Sequence, residues 1–212
     1  VLGAGVCHVW RIDLDAVAAR VGGEPSAVPL NAAERERAAR FVFERHRRWY
    51  TAARAALRTL LGAYLGVEAA AVPLQLRELG RPYVAGAEST LDFNLSHSDG
   101  LALLAVSRQA PVGVDVELLR PMKDALDLAQ RLYQDEERDC VAAAQGAARE
   151  RAFLTCWTRK EAVLKSTGAG LSVAPSTFRV GATPEPLQLV FDDPAGAAEL
   201  RVVSFEVRAD AL

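Results

Sequence analysis

Gly113-Val114-Asp115-Val116-Glu117-Leu118 alternates apolar and acidic residues, and Trp157-Thr158-Arg159-Lys160-Glu161-Ala162-Val163-Leu164-Lys165 places its charged pair at helical spacing. The first stretch predicts a strand and the second a helix, so the chain is expected to be of mixed α+β class. Side chains alternate across a strand. Asp115 and Glu117 therefore share one face, while Val114, Val116 and Leu118 take the other. Like charges on one face repel, and a cation between them is the natural remedy. Carboxylate oxygens suit Mg²⁺, which takes few protein ligands and completes its octahedron with water and phosphate oxygens. The plain alternative is a half-buried strand with two solvated acids.

On the helix, Glu161 and Lys165 lie four residues apart and share a face. The same spacing describes an ordinary surface pair worth about 0.2–0.5 kcal/mol. Three neighbours favour more than that. Trp157 stands one turn earlier on the same face. Arg159 and Lys160 add positive charge beside the glutamate. Gly168 and Gly170 give the helix a polar, glycine-rich exit of the kind that lines substrates. A carboxylate cluster with a cation beside it suits chemistry on a phosphate ester.

A third segment, Phe93-Asn94-Leu95-Ser96-His97-Ser98-Asp99-Gly100, carries a hairpin-turn signal in Asp99-Gly100. That leaves Ser96, His97 and Ser98 at a strand end, where hydroxyl and imidazole groups can hold phosphate oxygens. A structural histidine is the alternative.

Working outward, strands are expected over 6–14, 74–79, 91–95, 101–106, 112–118, 178–180, 187–191 and 200–207. Helices are expected within 32–65, closed by Gly66, and over 126–132, 135–144 and 148–167. Strand, helices, strands, then the same order again, suggests a structural duplication without a visible repeat in sequence. The division would fall between 1–110 and 111–212.

The bulk properties are permissive. Half of the 212 residues are apolar, enough for a full core, and 25 basic residues nearly balance 27 acidic ones. A general nucleic-acid surface would want a basic domain overall. Yet Arg35, Arg37, Arg40, Arg45, Arg47, Arg48, Arg54 and Arg58 crowd one helical region, which argues for an anionic ligand, with about half of them expected on a solvated face. No apolar run approaches the ~20 residues of a membrane span, and no basic-then-apolar leader opens the chain. Cys7, Cys140 and Cys156 have no metal-ligand spacing, and three thiols do not make a disulfide framework. A cytoplasmic enzyme with reduced thiols is expected. The ends read as incomplete: Val1 is no initiator, and a further strand is expected after Leu212.

The segments "FNLSHS", "GVDVE" and "WTRKEAVLKSTGAGL" resemble, in order and spacing, the three signature motifs of the Sfp-type 4′-phosphopantetheinyl transferases, and the chain reads like that family from about 30 to 207. The resemblance implies two similar α/β halves related by a pseudo-twofold, with the active site in the cleft between them. Asp115 and Glu117 match the metal-binding acids. Glu161 matches the acid that completes the metal site and acts as general base, and Lys165 the lysine that contacts phosphate. Ser96 and His97 match the pair on the 3′-phosphate side of coenzyme A. Arg37 and Arg40 fall where the family has basic residues for coenzyme A phosphates. Arg81 stands in Gly80-Arg81-Pro82 where the family has lysine, and it keeps the charge with a bidentate reach. The implied reaction moves the phosphopantetheine arm of coenzyme A to a serine of an apo acyl or peptidyl carrier protein, with Mg²⁺ (or Mn²⁺) as cofactor, by a monomer that binds neither nucleic acid nor membrane. Another metal-dependent phosphoesterase acting on a nucleotide, or a non-catalytic binder of coenzyme A or carrier protein, are the alternatives.

Overall fold

The computed structural model describes residues 2–3, 5–22, 28–86, 90–168, 173–183, 187–193, 196–207 and 211. The chain divides into two compact units, Val1–Pro111 and Val112–Leu212, each with helices and sheet.

The first unit is built on an antiparallel sheet in the order β1-β5-β4, formed by β1 (Cys7–Asp13), β5 (Leu101–Arg108) and β4 (Leu91–Ser98). The central strand reads Leu-Ala-Leu-Leu-Ala-Val-Ser and is buried throughout, because both neighbours are strands and both faces are covered. The Asp99-Gly100 turn joins β4 to β5 with Asp99 at φ 48°, the left-handed conformation that a tight hairpin demands. β4 runs three residues further than expected, so Ser96, His97 and Ser98 pair with Leu103, Ala102 and Leu101.

Helix α1 (Leu14–Val21) follows β1 directly, capped by the Asp13 carboxylate, which accepts from Ala16 N at 2.9 Å. It is absent from the sequence expectation because its apolar pattern continues that of the strand without a break. Helix α2 (Ala32–Ala39) opens on a capping box between Asn31 and Glu34, and α3 (Glu44–Leu65) closes on Gly66 at φ 71°, as expected. Leu57 and Leu61 of α3 pack on Phe93 and Leu104 of the sheet.

Two of the crowded arginines turn inward. Arg54 and Arg58 donate to the buried Glu34 carboxylate at 2.6 and 2.7 Å. Burial pushes the Glu34 carboxyl up, but bonds from Arg58, the Asn31 backbone and Arg54 outweigh it and hold it below the ordinary carboxylate value. These arginines secure α2 to α3 and are not available to a ligand.

The expected strand over 74–79 is shorter, ending at Leu76. β2 (Leu74–Leu76) meets β3 (Pro82–Val84) across a turn in which Gly80 takes φ 82° and donates to Arg77 O. The intervening Arg-Glu-Leu-Gly is turn, so Leu79 is exposed.

The second unit contains α4 (Ala125–Leu132), α5 (Asp135–Ala143), α6 (Ala147–Thr167) and a hairpin of β6 (Leu187–Asp193) with β7 (Gly196–Val202). Phe153, Leu154 and Val163 of α6 join Ala129, Tyr133 and Val141 in its core. Residues 112–118 are extended and carry a bridge between Leu118 and Ala211. The alternation holds, with Val114 and Val116 buried and Asp115 and Glu117 half-buried. Two expectations change in this unit. Residues 178–180 are not a strand, because Val180 N donates to the Glu137 side chain at 2.7 Å in place of a neighbouring backbone. The last strand starts earlier and stops at Val202 rather than at 207. Helix α6 ends in the left-handed Gly168. Gly170, Val1 and Leu212 lie outside the described residues. Among the described residues no helix is long and apolar enough to cross a membrane.

Candidate active site

The extended segment 112–118 is pressed against the backbone of α6. A Cβ on Gly113 would lie 1.9 Å from the carbonyl oxygen of Ala162 and 2.5 Å from the nitrogen of Ser166, distances no side chain can occupy. Only glycine permits this approach. Two residues on, the Asp115 carboxylate accepts from Lys165 Nζ at 2.5 Å, with Asp115 7% and Lys165 28% exposed at the side chain. The contact joins the two segments singled out by sequence.

Glu161 shares this neighbourhood. Burial pushes its carboxyl above the ordinary value, Lys165 pulls it back, and Asp115 and Glu117 push it up again. Burial with two nearby acids outweighs one lysine. Glu117 itself accepts from Arg120 Nη1 at 2.8 Å. Among the described residues no group of three acid, histidine or cysteine side chains is drawn closely enough together to hold a metal ion. The donor chemistry still fits a hard divalent cation: the Glu161 carboxylate feels the charge of Asp115 and Glu117, and there is no soft ligand among the three.

The candidate donor contacts lie in the first unit. Ser96 is buried and His97 exposed, and as neighbours on β4 their side chains leave opposite faces of the sheet. Arg81, beside β3, donates to Asp92 of β4 at 2.6 Å. Arg37 lies over the ring of Tyr50, 5.5 Å from its centroid, and Arg40 pairs with Glu36. These two arginines line a surface groove of about 510 Å³ with Ala33, Glu36 and Phe41. Arg47 pairs with Glu44 and Arg45 lies over Trp49.

Two family profiles match the chain: the 4′-phosphopantetheinyl transferase superfamily over residues 111–206, and the N-terminal part of 4′-phosphopantetheinyl transferase over residues 26–109. The chain belongs to the 4′-phosphopantetheinyl transferase superfamily. It is 41% identical over 167 residues to the 4′-phosphopantetheinyl transferase HetI of Nostoc sp., covering 78% of this chain and 70% of that one. It is 31% identical over 165 residues to a 4′-phosphopantetheinyl transferase of Bacillus subtilis, and 29% identical over 165 residues to Sfp of Bacillus subtilis strain 168; each alignment covers 72% of this chain and 71% of the relative. The family resemblance carried by "FNLSHS", "GVDVE" and "WTRKEAVLKSTGAGL" is borne out, and the chain is a phosphopantetheinyl transferase enzyme.

In the transferase, the two cations that precede Glu161 do not stand beside it. Lys160 is fully buried, bonded to Glu137 at 2.8 Å and to the carbonyls of Pro175 and Phe178 at 2.9 and 2.6 Å, with the rings of Tyr133 and Phe178 against its ammonium. Arg159 reaches Ser204 Oγ and the carbonyl of Val180 at 2.7 and 2.9 Å. A helix turns about 100° per residue, so residues just before Glu161 point to other faces. Trp157 packs partly into the core of this unit. The signature helix therefore has a site face and an anchoring face. Lys160 lies with Val163 and Leu164, whereas Glu161 and Lys165 pair with Trp157.

Gly113 is the residue that sequence reasoning quoted without giving it a task. Gly113→Ala is expected to force segment 112–118 off α6. The cost should be at least about 1–3 kcal/mol of stability in urea unfolding. A displacement of about 1 Å at Asp115 should lower the transfer rate by about 10²-fold. Parental stability with parental rate would mean that the close approach is dispensable.

Proposed function

We propose that this enzyme transfers the 4′-phosphopantetheine arm of coenzyme A to a serine of an apo acyl or peptidyl carrier protein, in an Mg²⁺-dependent reaction that releases adenosine 3′,5′-bisphosphate. The observation that carries this reading is the Lys165–Asp115 contact, which brings the acidic segment and the Glu161–Lys165 face of α6 together. Family membership supports the reaction class.

Asp115, Glu117 and Glu161 would hold the metal ion, which neutralises pyrophosphate charge when bound. Glu161 takes the serine proton; burial and its acidic neighbours raise its basicity above that of an ordinary carboxylate. Lys165 stays within reach of Asp115 and stabilises charge on the transferred phosphate and the leaving group. Arg37, Arg40, Arg81, Ser96 and His97 of the first unit bind the phosphates of coenzyme A. Arg37 and Arg40 offer exposed guanidinium groups along one groove, and Asp92 orients Arg81. The enzyme acts as a cytoplasmic monomer on these two substrates.

The test is incubation with coenzyme A, Mg²⁺ and a panel of apo carrier proteins, read by mass spectrometry for gain of one phosphopantetheine arm on serine. Transfer is expected to stop with a chelator and with Asp115→Ala. Coenzyme A cleaved without any carrier protein would instead mark a phosphoesterase. Full transfer in excess chelator would sink the metal assignment.

A further inference from the structure

Two acids expected to bind metal already carry side-chain cations. Lys165 stands on Asp115 at 2.5 Å, and Arg120 stands on Glu117 at 2.8 Å. The second contact is not a by-product of spacing. Residues three apart meet automatically on a helix. Residues 117–120 are not helical, and Leu118 is fixed in a bridge to Ala211. Arg120 has to fold back to reach Glu117, and its guanidinium also contacts the carbonyl of Leu118 at 3.5 Å. Each of these two carboxylates faces one cation, an ammonium and a guanidinium, beside the third acid Glu161. A single divalent cation would balance the same two carboxylates.

We propose that Arg120 and Lys165 are placeholder cations that exchange for the divalent metal ion. Each neutralises an acid while the metal is absent, and each is released when the ion takes that acid as a ligand. The inference rests on the metal reading given above. Release leaves an ammonium and a guanidinium beside the metal, both suited to phosphate oxygens. Metal and a pyrophosphate-bearing donor should then favour each other's binding, because the metal unmasks cations that the donor uses. Arg120, to which sequence analysis gave no task, thus becomes part of the site.

The test is Mn²⁺ titration of the full chain without coenzyme A, followed by water-proton relaxation. Arg120→Gln removes one competitor and is expected to tighten Mn²⁺ by about two- to fivefold, the range for an exposed ion pair. Lys165→Met should tighten it more, because Asp115 is nearly buried. Lys123→Gln is the control. Lys123 is exposed and makes no ion pair with a described residue, so its removal reports only the general loss of positive charge. It should change the affinity less than either. Arg120→Gln with unchanged or weaker Mn²⁺ binding overturns the exchange, as does an equal gain in Lys123→Gln. Glu117→Gln separates this from the metal reading: a parent that binds no Mn²⁺, or whose binding ignores Glu117→Gln, overturns that reading and the exchange with it.

Discussion

Glu161→Gln is expected to bind coenzyme A with near-parental affinity and to lose at least about 10²-fold in kcat, the lower end of a general-base contribution. The substitution keeps the size of the side chain and one ligating oxygen, but the amide cannot accept the serine proton. Glu161 sits half-buried on α6, where burial raises its carboxyl, Lys165 opposes the rise, and Asp115 and Glu117 add to it. A raised carboxyl is the stronger base when ionised and the more easily protonated in acid. The acid limb of kcat/KM is therefore expected above the ordinary value of 4.5 at low Mg²⁺, and should move down as Mg²⁺ is raised toward saturation. Rapid-quench single-turnover rates across pH measure both effects. Near-parental kcat for Glu161→Gln at saturating Mg²⁺ would assign the proton to another group or to water.

The second large effect concerns stability. Lys160→Met is expected to cost about 3–5 kcal/mol in urea unfolding, because it strips a buried carboxylate of its counter-charge. Glu137 is 1% exposed and accepts from Gln134 N, Val180 N and Gly181 N at 3.0, 2.7 and 3.1 Å besides Lys160. The double variant Lys160→Met with Glu137→Gln keeps an oxygen for Val180 N and Gly181 N, gives up the one that Gln134 N uses, and removes the uncompensated charge, so it should recover part of the loss. Burial pushes the Glu137 carboxyl up, but the Lys160 and backbone bonds outweigh it and hold it below the ordinary value of 4.5. A lowered carboxyl stabilises the fold above its unfolded value, and that contribution is lost as pH falls through the folded one. Acid unfolding of the parent is expected to begin below about pH 4.5, with a shallower response in the double variant. A single-variant cost under about 1 kcal/mol would place the pair among the weak, solvated kind.

Such an anchor matters for function because Lys160 immediately precedes Glu161. The network fixes α6 to α5 and to the turn Pro175–Thr177, and so fixes the direction in which the opposite face points. Gly113 does the complementary task from the other side, letting the acidic segment lie against the same helix.

The sequence by itself determined the family, the mixed α+β class, most helices, the Asp99-Gly100 hairpin and the short roll of chemically useful side chains. These are local or pattern-borne: alternation across an extended segment, four-residue spacing on a helix, and turn residues with a required backbone conformation. It could not tell which cations serve a ligand and which serve the fold. Arg54, Arg58, Arg159 and Lys160 look as available in one dimension as Arg37 or Lys165. Their partners, Glu34, Ser204, the Val180 carbonyl and Glu137, lie 20 or more residues away in each case. Nor could it foresee that residues 178–180 are not a strand, because strand propensity follows side-chain pattern whereas hydrogen-bond partners are chosen by packing, and the Glu137 side chain takes Val180 N. Only the tertiary structure decided these points: a charge buried among partners distant in sequence is inert to ligand, and the same charge left on a half-open face is a site.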